Sequence, residues 1–172
     1  MVMRNICIVL MLCTAMVLVA FAAPIPEIGK TAPAVVLPSQ DGSTVDLKSF
    51  RGKWVVLYFY PKDMTQGCTI EAHNFQQDLA KYEGLNAVIV GVSVDSTDSH
   101  KEFCAKESLT FKLLSDTGKK VVDAYGSLSP KGMAIRNTFL IDPTGKVVQV
   151  WQNVSPGGHS AEVLAALTER KK

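Results

Sequence analysis

The chain has 172 residues, and its 18 Lys and Arg against 16 Asp and Glu leave a formal net charge of only +2. A chain of this length forms one domain with room for a substantial core. Its nearly balanced charge, without a basic stripe or an acidic tail, argues against nucleic acid as a partner.

The first residues differ in kind from the rest of the chain. Residues 6–23 form an apolar run, Arg4 is the only charge before them, and residues 20–22 (Ala-Phe-Ala) offer small side chains where a signal peptidase cleaves. We therefore predict a signal peptide over residues 1–22, which is cleaved, and an exported domain over residues 23–172, periplasmic or secreted and without membrane attachment. A single-span anchor is the competing interpretation, because the run is just long enough to cross a bilayer.

Strand and helix patterns alternate after the leader. Residues 35–47 predict a β-hairpin around an Asp-Gly turn. The apolar run at residues 54–60 predicts a buried strand. The later predicted elements are a helix from Cys68 to about Glu83 with Gly84 as its stop, a strand at 87–94, a helix from caps at 95–98 to Glu107, a short strand at 111–114, a small helix at 118–125, strands at 138–141 and 146–151 around a type I turn, and a helix at 157–170. This order predicts an α/β fold with a mixed central sheet flanked by helices, in a thioredoxin-like arrangement with an N-terminal hairpin.

Cys68 stands where the strand at residues 54–60 gives way to a helix. The apolar residues that follow it at helical spacing place Cys68 in the first turn, just past the end of a central strand. Unpaired N–H groups and the helix dipole favour a thiolate at such a position, which is how a cysteine becomes nucleophilic. The plainer alternative is a small core residue. Gly67 and the Thr65 hydroxyl beside the thiol favour the reactive interpretation.

The cysteine count supports redox chemistry. Once the leader is removed, only Cys68 and Cys104 remain, and no C-x-x-C motif occurs. Two cysteines in an exported domain suggest a disulfide. Because one of them stands at a helix N-terminus, the disulfide is predicted to be redox-active.

Several segments carry a family resemblance. Pro61, Thr65 and Cys68 form the pattern P-x-x-x-T-x-x-C, directly after Tyr-Phe-Tyr, and residues 111–116 and 136–142 match as well. Together they resemble the peroxiredoxins, in particular the bacterioferritin-comigratory (peroxiredoxin Q) group, over about residues 28–167. The resemblance implies a thiol peroxidase that reduces hydrogen peroxide or organic hydroperoxides without metal or organic cofactor, and that a thioredoxin-type dithiol protein recycles.

The resemblance also assigns roles to single residues. Cys68 would be the peroxidatic cysteine, Thr65 would hydrogen-bond the thiolate and the peroxide, and Arg136 would hold the same site electrostatically. Pro61 would fix the loop and shield the sulfur from water. The plainer alternatives are a helix cap for Thr65, a strand terminator for Pro61 and a surface charge for Arg136. Glu71 matches the family too, although it could merely complement the helix dipole.

Three positions depart from the pattern of the group. Met64 and Gln66 replace the commoner Asn and Pro, which should leave the loop freer and affects the expected peroxide affinity rather than the chemistry. His73 stands five residues after Cys68, where many members carry the resolving cysteine. Another subset carries it on the helix after the next strand, where Cys104 lies here.

The resemblance thus implies an atypical two-cysteine peroxidase, which we expect to be a monomer. Peroxide would oxidise Cys68 to sulfenic acid, and Cys104 would condense with it to an intramolecular disulfide. Cys104 could instead be a buried core thiol, which would leave a one-cysteine peroxidase. Two further alternatives are a thiol–disulfide oxidoreductase, which the missing C-x-x-C disfavours, and a metal-binding carrier that uses both cysteines and a histidine. The last sequence-based expectations are surface positions for His73, His100 and His159, and core positions for Trp54 and Trp151.

Overall fold

The structure is a computed structural model that describes residues 23–171, so the predicted leader lies outside the described residues. The elements are β1 (Val36–Pro38), β2 (Thr44–Asp46), a 3₁₀ turn (Leu47–Phe50), β3 (Trp54–Phe59), α1 (Gln66–Gly84), β4 (Ala87–Ser93), α2 (Thr97–Glu107), β5 (Lys112–Ser115), α3 (Lys120–Ala124), β6 (Thr138–Ile141), β7 (Val147–Trp151) and α4 (His159–Glu169). Within this part of the chain no helix is both long enough and apolar enough to cross a membrane.

The central sheet is mixed, as predicted. Its strand order is β5-β4-β3-β6-β7, in which β3, β4 and β5 run parallel, while β6 runs antiparallel to both of its neighbours. The hairpin of β1 and β2 forms a separate antiparallel pair. β3 and β4 are nearly continuous apolar runs because both faces of the sheet centre are covered. The fold is thioredoxin-like.

Each face of the sheet carries its own apolar cluster. On one face α1, α2 and α4 pack together, and both Cys68 and Cys104 belong to this cluster. On the other face lie the hairpin, α3 and the chain that leads into the hairpin. The helices that carry the two cysteines therefore share one layer of the molecule.

Tyr58 fills the centre of the layer that holds the cysteines. Its ring lies 4.8 Å from that of Phe75 on α1, measured between centroids. It also lies over Gly91 of β4, where a Cβ atom would come within 2.7 Å of the Tyr58 ring and 2.6 Å of the Leu113 side chain. Gly91 therefore interrupts the apolar run of β4 because no side chain fits there.

α1 ends at Gly84 as predicted, but Gly84 does not adopt the left-handed backbone of a glycine stop. Gly84 is still helical, and the residue with left-handed backbone is Asn86, at φ 54°. Asn86 holds this conformation with its own side chain, whose Nδ2 donates to the Gly52 carbonyl at 2.9 Å. Asparagine can thus end the turn after a helix where glycine was expected, because it tolerates this backbone region.

The prediction that His100 and His159 lie at the surface is wrong, because both are buried. Each has a polar partner inside the protein, which compensates the burial of its ring nitrogens. His159 Nε2 lies 2.8 Å from Thr138 Oγ1, and His100 Nδ1 lies 2.8 Å from Asp63 Oδ2. His73 is half-exposed as expected and lies 2.8 Å from Glu107 of α2.

Trp54 and Trp151 were predicted to lie in the core. Both are only half-buried, and they pack against the rim of the cluster that contains the cysteines.

Candidate active site

The loop between β3 and α1 delivers the Cys68 thiol. β3 ends at Phe59, and α1 begins at Gln66, so that Cys68 is the third residue of the helix. It lies in the first turn, where backbone N–H groups have no helical partner, and only 2% of its surface is exposed. The thiol thus combines shielding from bulk water with the positive end of a helix.

Arg136 reaches the thiol from the neighbouring strand. Because β6 runs antiparallel to β3 and pairs Thr138 with Tyr58, the residues just before β6 lie beside the loop after β3. Arg136 Nη2 lies 3.3 Å from Cys68 Sγ, and only 14% of the Arg136 side chain is exposed. A fixed cation beside the sulfur stabilises a thiolate and can bind the oxygens of a peroxide.

Glu71 is the third member of the site, and its side chain is buried. Its Oε2 accepts a hydrogen bond from Arg136 Nη1, while its Oε1 has no partner within the described residues. Burial raises the pKa of Glu71 to about 7, although the Arg136 guanidinium works against this shift. Sequence reasoning noted that Glu71 matches the family, but the only role it considered was to complement the helix dipole. Its spacing of three residues from Cys68, on the same helical face, is the signal that could have revealed it.

Arg136 is shared between two acidic groups. Burial alone would lower the pKa of Arg136, but Glu71 and Cys68 hold it above its ordinary value. The guanidinium therefore stays charged. When both Glu71 and Cys68 are ionised, two anions compete for one cation.

Thr65 and Pro61 lie at the two ends of the loop before α1, and neither forms a hydrogen bond with the Cys68 sulfur. Thr65 is the N-cap residue of α1, but its exposed hydroxyl donates to the Lys62 carbonyl at 2.9 Å. Pro61 is half-buried at the start of the loop. A role for the Thr65 hydroxyl toward a peroxide would require rotation of its side chain, and the roles of both residues stay predictions.

Residues 152–158 form a wall beside the start of α1 that sequence reasoning did not foresee. Asn74 Nδ2 donates to the carbonyls of Pro156 at 3.2 Å and Gly157 at 3.1 Å. The backbone N–H of Val154 donates to the Arg136 carbonyl at 2.9 Å. A Cβ atom on Gly67 would lie 3.6 Å from the Pro156 ring and 3.4 Å from Arg136 Nη2. The wall and the guanidinium thus close around the start of α1.

Cys104 lies in different surroundings. It is near the end of α2, 8% exposed, and, like Cys68, a free cysteine. Burial raises the pKa of the Cys104 thiol to about 11, and the negative charge of Asp63 is the second cause of this shift. Cys104 is therefore protonated at neutral pH.

A buried thiol in the first turn of a helix, next to a fixed guanidinium on a thioredoxin-like sheet, defines the class of thiol-based redox enzymes. In residues 23–171 no three His, Cys, Asp or Glu side chains come together in a group that could hold a metal ion.

Comparison with known proteins identifies the family within this class. The model of the AhpC/TSA family matches residues 28–150. Peroxiredoxin Bcp of Bacillus subtilis is 42% identical over 150 residues, which cover 83% of this chain and 96% of that protein. The chloroplastic peroxiredoxin Q of Sedum lineare is 41% identical over 146 residues, which cover 83% of this chain and 78% of that protein. The chain belongs to the AhpC/TSA family and is a peroxiredoxin of the Bcp and peroxiredoxin Q type.

Solved structures agree with this assignment. A cysteine-to-serine mutant of Xylella fastidiosa PrxQ superposes with a TM-score of 0.83 at 35% identity, covering 87% of this chain and all of that one. The bacterioferritin comigratory protein of Xanthomonas campestris, from a study of its alkyl peroxide reduction activity, gives a TM-score of 0.77 at 38% identity and covers 80% of this chain and 92% of that one. The protein is thus a thiol peroxidase, and Cys68 is present as its peroxidatic cysteine.

Proposed function

We propose that the protein works as an atypical two-cysteine peroxidase, in which Cys104 resolves the oxidised Cys68 and a thioredoxin-type dithiol protein reduces the resulting disulfide. The observation that carries the peroxide step is the 3.3 Å contact between Cys68 Sγ and Arg136 Nη2 at the start of α1. The observation that supports the resolving step is that both free cysteines belong to one buried cluster on one face of the sheet.

In the first step the Cys68 thiolate attacks one oxygen of the peroxide. The S–O bond forms as the O–O bond breaks, and the leaving oxygen takes a proton to become water or an alcohol. Negative charge moves from the sulfur to the leaving oxygen, and Arg136 is fixed in position to stabilise that charge. Rotation of Thr65 would add a second donor.

The resolving step requires α2 to open. α1 and α2 both start from the carboxyl ends of neighbouring parallel strands, but Cys68 is the third residue of its helix and Cys104 the eighth of its own. At 1.5 Å per residue, these five additional residues place Cys104 deeper in its own helix than Cys68 is in α1, by about 7.5 Å of helix. A disulfide needs Cα atoms within about 7 Å and Cβ atoms that face each other. Cys104 therefore reaches Cys68 when the last turn of α2 unwinds, and helix ends unwind at the lowest cost.

Hydrogen peroxide and organic hydroperoxides are the proposed substrates. The Xanthomonas campestris relative is described by its alkyl peroxide reduction activity. In this chain two apolar side chains close to Cys68 in sequence, Met64 and Ile70, are each 41% exposed. They offer apolar surface to an alkyl group.

Export to the periplasm or the outside, after cleavage of residues 1–22, remains part of the proposal. The backbone of residues 23–25 packs against Gly126, where a Cβ atom would lie 2.8 Å from the Ala23 carbonyl oxygen. A domain cut after Ala22 would keep this contact. Intact-mass analysis of the protein from its native envelope should show a start at Ala23, and a membrane-bound form that retains the leader would favour an anchor.

Peroxide consumption with a thioredoxin-type reductant tests the function. We expect the mature wild-type protein to turn over, and peptide mapping after peroxide treatment to find Cys68 linked to Cys104 within one chain. Exclusively intermolecular links between Cys68 residues would favour the one-cysteine alternative. An insulin-reduction assay tests for a thiol–disulfide oxidoreductase, and metal analysis of the purified protein tests for a carrier.

A further inference from the structure

A buried Asp–His pair connects the active-site loop to the helix that carries Cys104. His100 of α2 is fully buried, and its Nδ1 lies 2.8 Å from Oδ2 of Asp63, which is 5% exposed and belongs to the loop before Cys68. Tyr60 and Ser99 each donate a hydroxyl hydrogen bond of 2.7 Å to the same carboxylate. Burial raises the pKa of Asp63, but these bonds, led by that from His100, lower it further, so that it stays below its ordinary value.

The pair determines which ring nitrogen of His100 carries the proton. An ionised carboxylate only accepts hydrogen bonds, so Nδ1 is the donor toward Asp63. In the neutral ring Nε2 then holds the free electron pair. Nε2 is buried, and it has no hydrogen-bond partner within the described residues. Orientation of an imidazole by a carboxylate on one nitrogen, with the other nitrogen free, is the arrangement of a general base.

Cys104 is the group that requires a base. Only a thiolate attacks a sulfenic acid, yet Cys104 enters the step as a thiol, because its surroundings in the reduced fold keep it protonated at neutral pH. His100 lies four residues before Cys104 in α2, which puts both residues on the same helical face. In the described residues of the reduced fold no hydrogen bond joins His100 to Cys104. The proton of Cys104 is therefore transferred in the step in which the last turn of α2 detaches. The Asp63 contact holds His100 in the part of the helix that stays.

We propose that His100, oriented by Asp63, is the base of the resolving step. It accepts the proton of the Cys104 thiol through Nε2 as Cys104 turns toward the oxidised Cys68. This inference rests on the proposed resolving role of Cys104.

The step balances without any further reactant. The Cys104 thiolate attacks Sγ of the Cys68 sulfenic acid, the S–S bond forms, and the S–O bond breaks. The hydroxide that leaves takes the proton from His100 and departs as water. The two sulfurs become a disulfide, and His100 returns to its neutral form.

The two possible roles of the Asp63–His100 pair predict opposite changes in the rate of disulfide formation. If the Asp63–His100 contact only fastened α2 to the loop, weakening it would free Cys104 and accelerate disulfide formation. If His100 is the base, its loss slows disulfide formation even where the contact persists. The direction of the change therefore separates the two roles.

His100→Asn is the decisive variant, because the asparagine amide can still donate to Asp63 but offers no basic nitrogen. Asp63→Asn is its partner, since it keeps the imidazole and removes the orienting charge. Both variants are mixed with one equivalent of peroxide and quenched at intervals, and mass spectrometry follows sulfenic acid and disulfide separately. The formation of sulfenic acid at Cys68 serves as the internal reference for an intact active site.

We expect disulfide formation in His100→Asn to fall by about 10²-fold, as is typical for loss of a general base, with a smaller loss in Asp63→Asn. More Cys68 should then become overoxidised at a given peroxide concentration. Disulfide formation in His100→Asn should also rise about tenfold per pH unit above neutrality, because Cys104 must then ionise unaided. The other titratable groups around this path are Asp63, Asp95, Tyr60, Tyr58 and the His73–Glu107 pair, which joins α1 to the last turn of α2. The two tyrosines stay neutral in this range because burial raises the pKa of each well above its ordinary value.

Unchanged or faster disulfide formation in both variants would overturn the inference and leave the pair as a fastening between loop and helix. Cys104→Ser, measured alongside, keeps the two proposals apart. If Cys104→Ser still turns over with the reductant, the resolving role fails and the base falls with it. If Cys104 is essential but the His100 variant resolves normally, only the base is refuted.

Discussion

The two cysteines of this protein lie in the same cluster, but their electrostatic surroundings are opposite. Cys68 occupies the first turn of a helix and has a guanidinium at 3.3 Å. Cys104 lies near the end of a helix, close to the carboxylate of Asp63, and burial keeps its pKa at about 11. One site favours the thiolate and the other the thiol, although both residues are buried.

The difference shows that burial alone does not decide the reactivity of a cysteine. What decides it is whether donors accompany the sulfur into the interior. The guanidinium and the helix N-terminus at Cys68 stabilise a thiolate, which is the form that attacks peroxide. A protonated Cys104 is a poor target for peroxide, so it can remain reduced until Cys68 has reacted.

Cys68→Ser removes the thiol that the site stabilises as a thiolate, and it should have the largest effect on peroxide reduction. A serine hydroxyl is scarcely ionised at neutral pH, so peroxide reduction should fall to background. Peroxide consumption measured with excess reductant checks this. Residual turnover above that of the reductant alone would mean that another residue carries the chemistry.

Cys104→Ser removes the other cysteine of the comparison and should separate oxidation from turnover. The variant should consume one equivalent of peroxide per chain and then stop with a thioredoxin-type reductant. Its Cys68 should also overoxidise more readily, since nothing traps the sulfenic acid. Stopped-flow peroxide consumption together with intact mass measures both. Normal cycling would show that Cys104 is a core residue.

Arg136→Ala sharpens the comparison by taking the donor away from Cys68. Loss of a preorganised donor of this kind costs about 10²–10³-fold in the rate of the chemical step, so oxidation of Cys68 should slow by that order. Arg136→Lys is the matched control, because it keeps the charge and loses the planar fork, and it should lie in between. A wild-type oxidation rate in Arg136→Ala would remove this residue from the site.

Glu71→Gln tests the second acid that shares Arg136. Burial raises the pKa of Glu71 to about 7 from an ordinary value of 4.5. Between these values the folded state holds a proton that the unfolded chain has lost, so the free energy of unfolding should decrease as the pH rises through this window. The contribution is at most about 3 kcal/mol. Denaturant unfolding at pH 4.5 and 7.5 should show a smaller decrease in the free energy of unfolding for Glu71→Gln than for the wild type. Identical pH profiles of the two proteins would contradict the raised pKa of Glu71.

The smallest expected effect concerns the loop before Cys68. Met64 has a left-handed backbone, at φ 58°, and its side chain is 41% exposed. Asparagine tolerates this conformation better, so Met64→Asn should raise the free energy of unfolding by about 1 kcal/mol. Met64→Ala keeps the unfavourable backbone and should bring no gain. Equal stability of the two variants would show that the strain is relieved elsewhere.

Much of the fold could be predicted because its signals are local. Apolar runs of strand length, an Asp-Gly turn and capping residues all act over a few positions, and each led to the right element. Cys68 could be placed in the first turn for the same reason. The end of α1 at Gly84 was predicted as well, but the left-handed residue that follows it was not, because the Asn86 side chain binds Gly52, which lies 34 positions away in sequence.

The errors arose where polar residues meet across the fold. His100 reads as a surface residue because its partner Asp63 lies 37 positions earlier, in the loop that follows β3. Glu71 reads as a dipole-complementing acid because the guanidinium that it binds comes from the segment before β6. Buried polar groups depend on such distant partners, and a single sequence does not pair them.

The lack of space at Gly91 connects the sheet to the helix that carries the thiol. A single methyl group there would have to displace the ring of Tyr58 or the side chain of Leu113. Tyr58 packs on Phe75, which lies on the same buried face of α1 as Cys68. A Gly91→Ala substitution would therefore displace the Tyr58 ring, and this displacement would be transmitted through Phe75 to the helix that holds the nucleophile. The absence of a side chain at Gly91 is thus one of the packing conditions that hold the Cys68 helix in place.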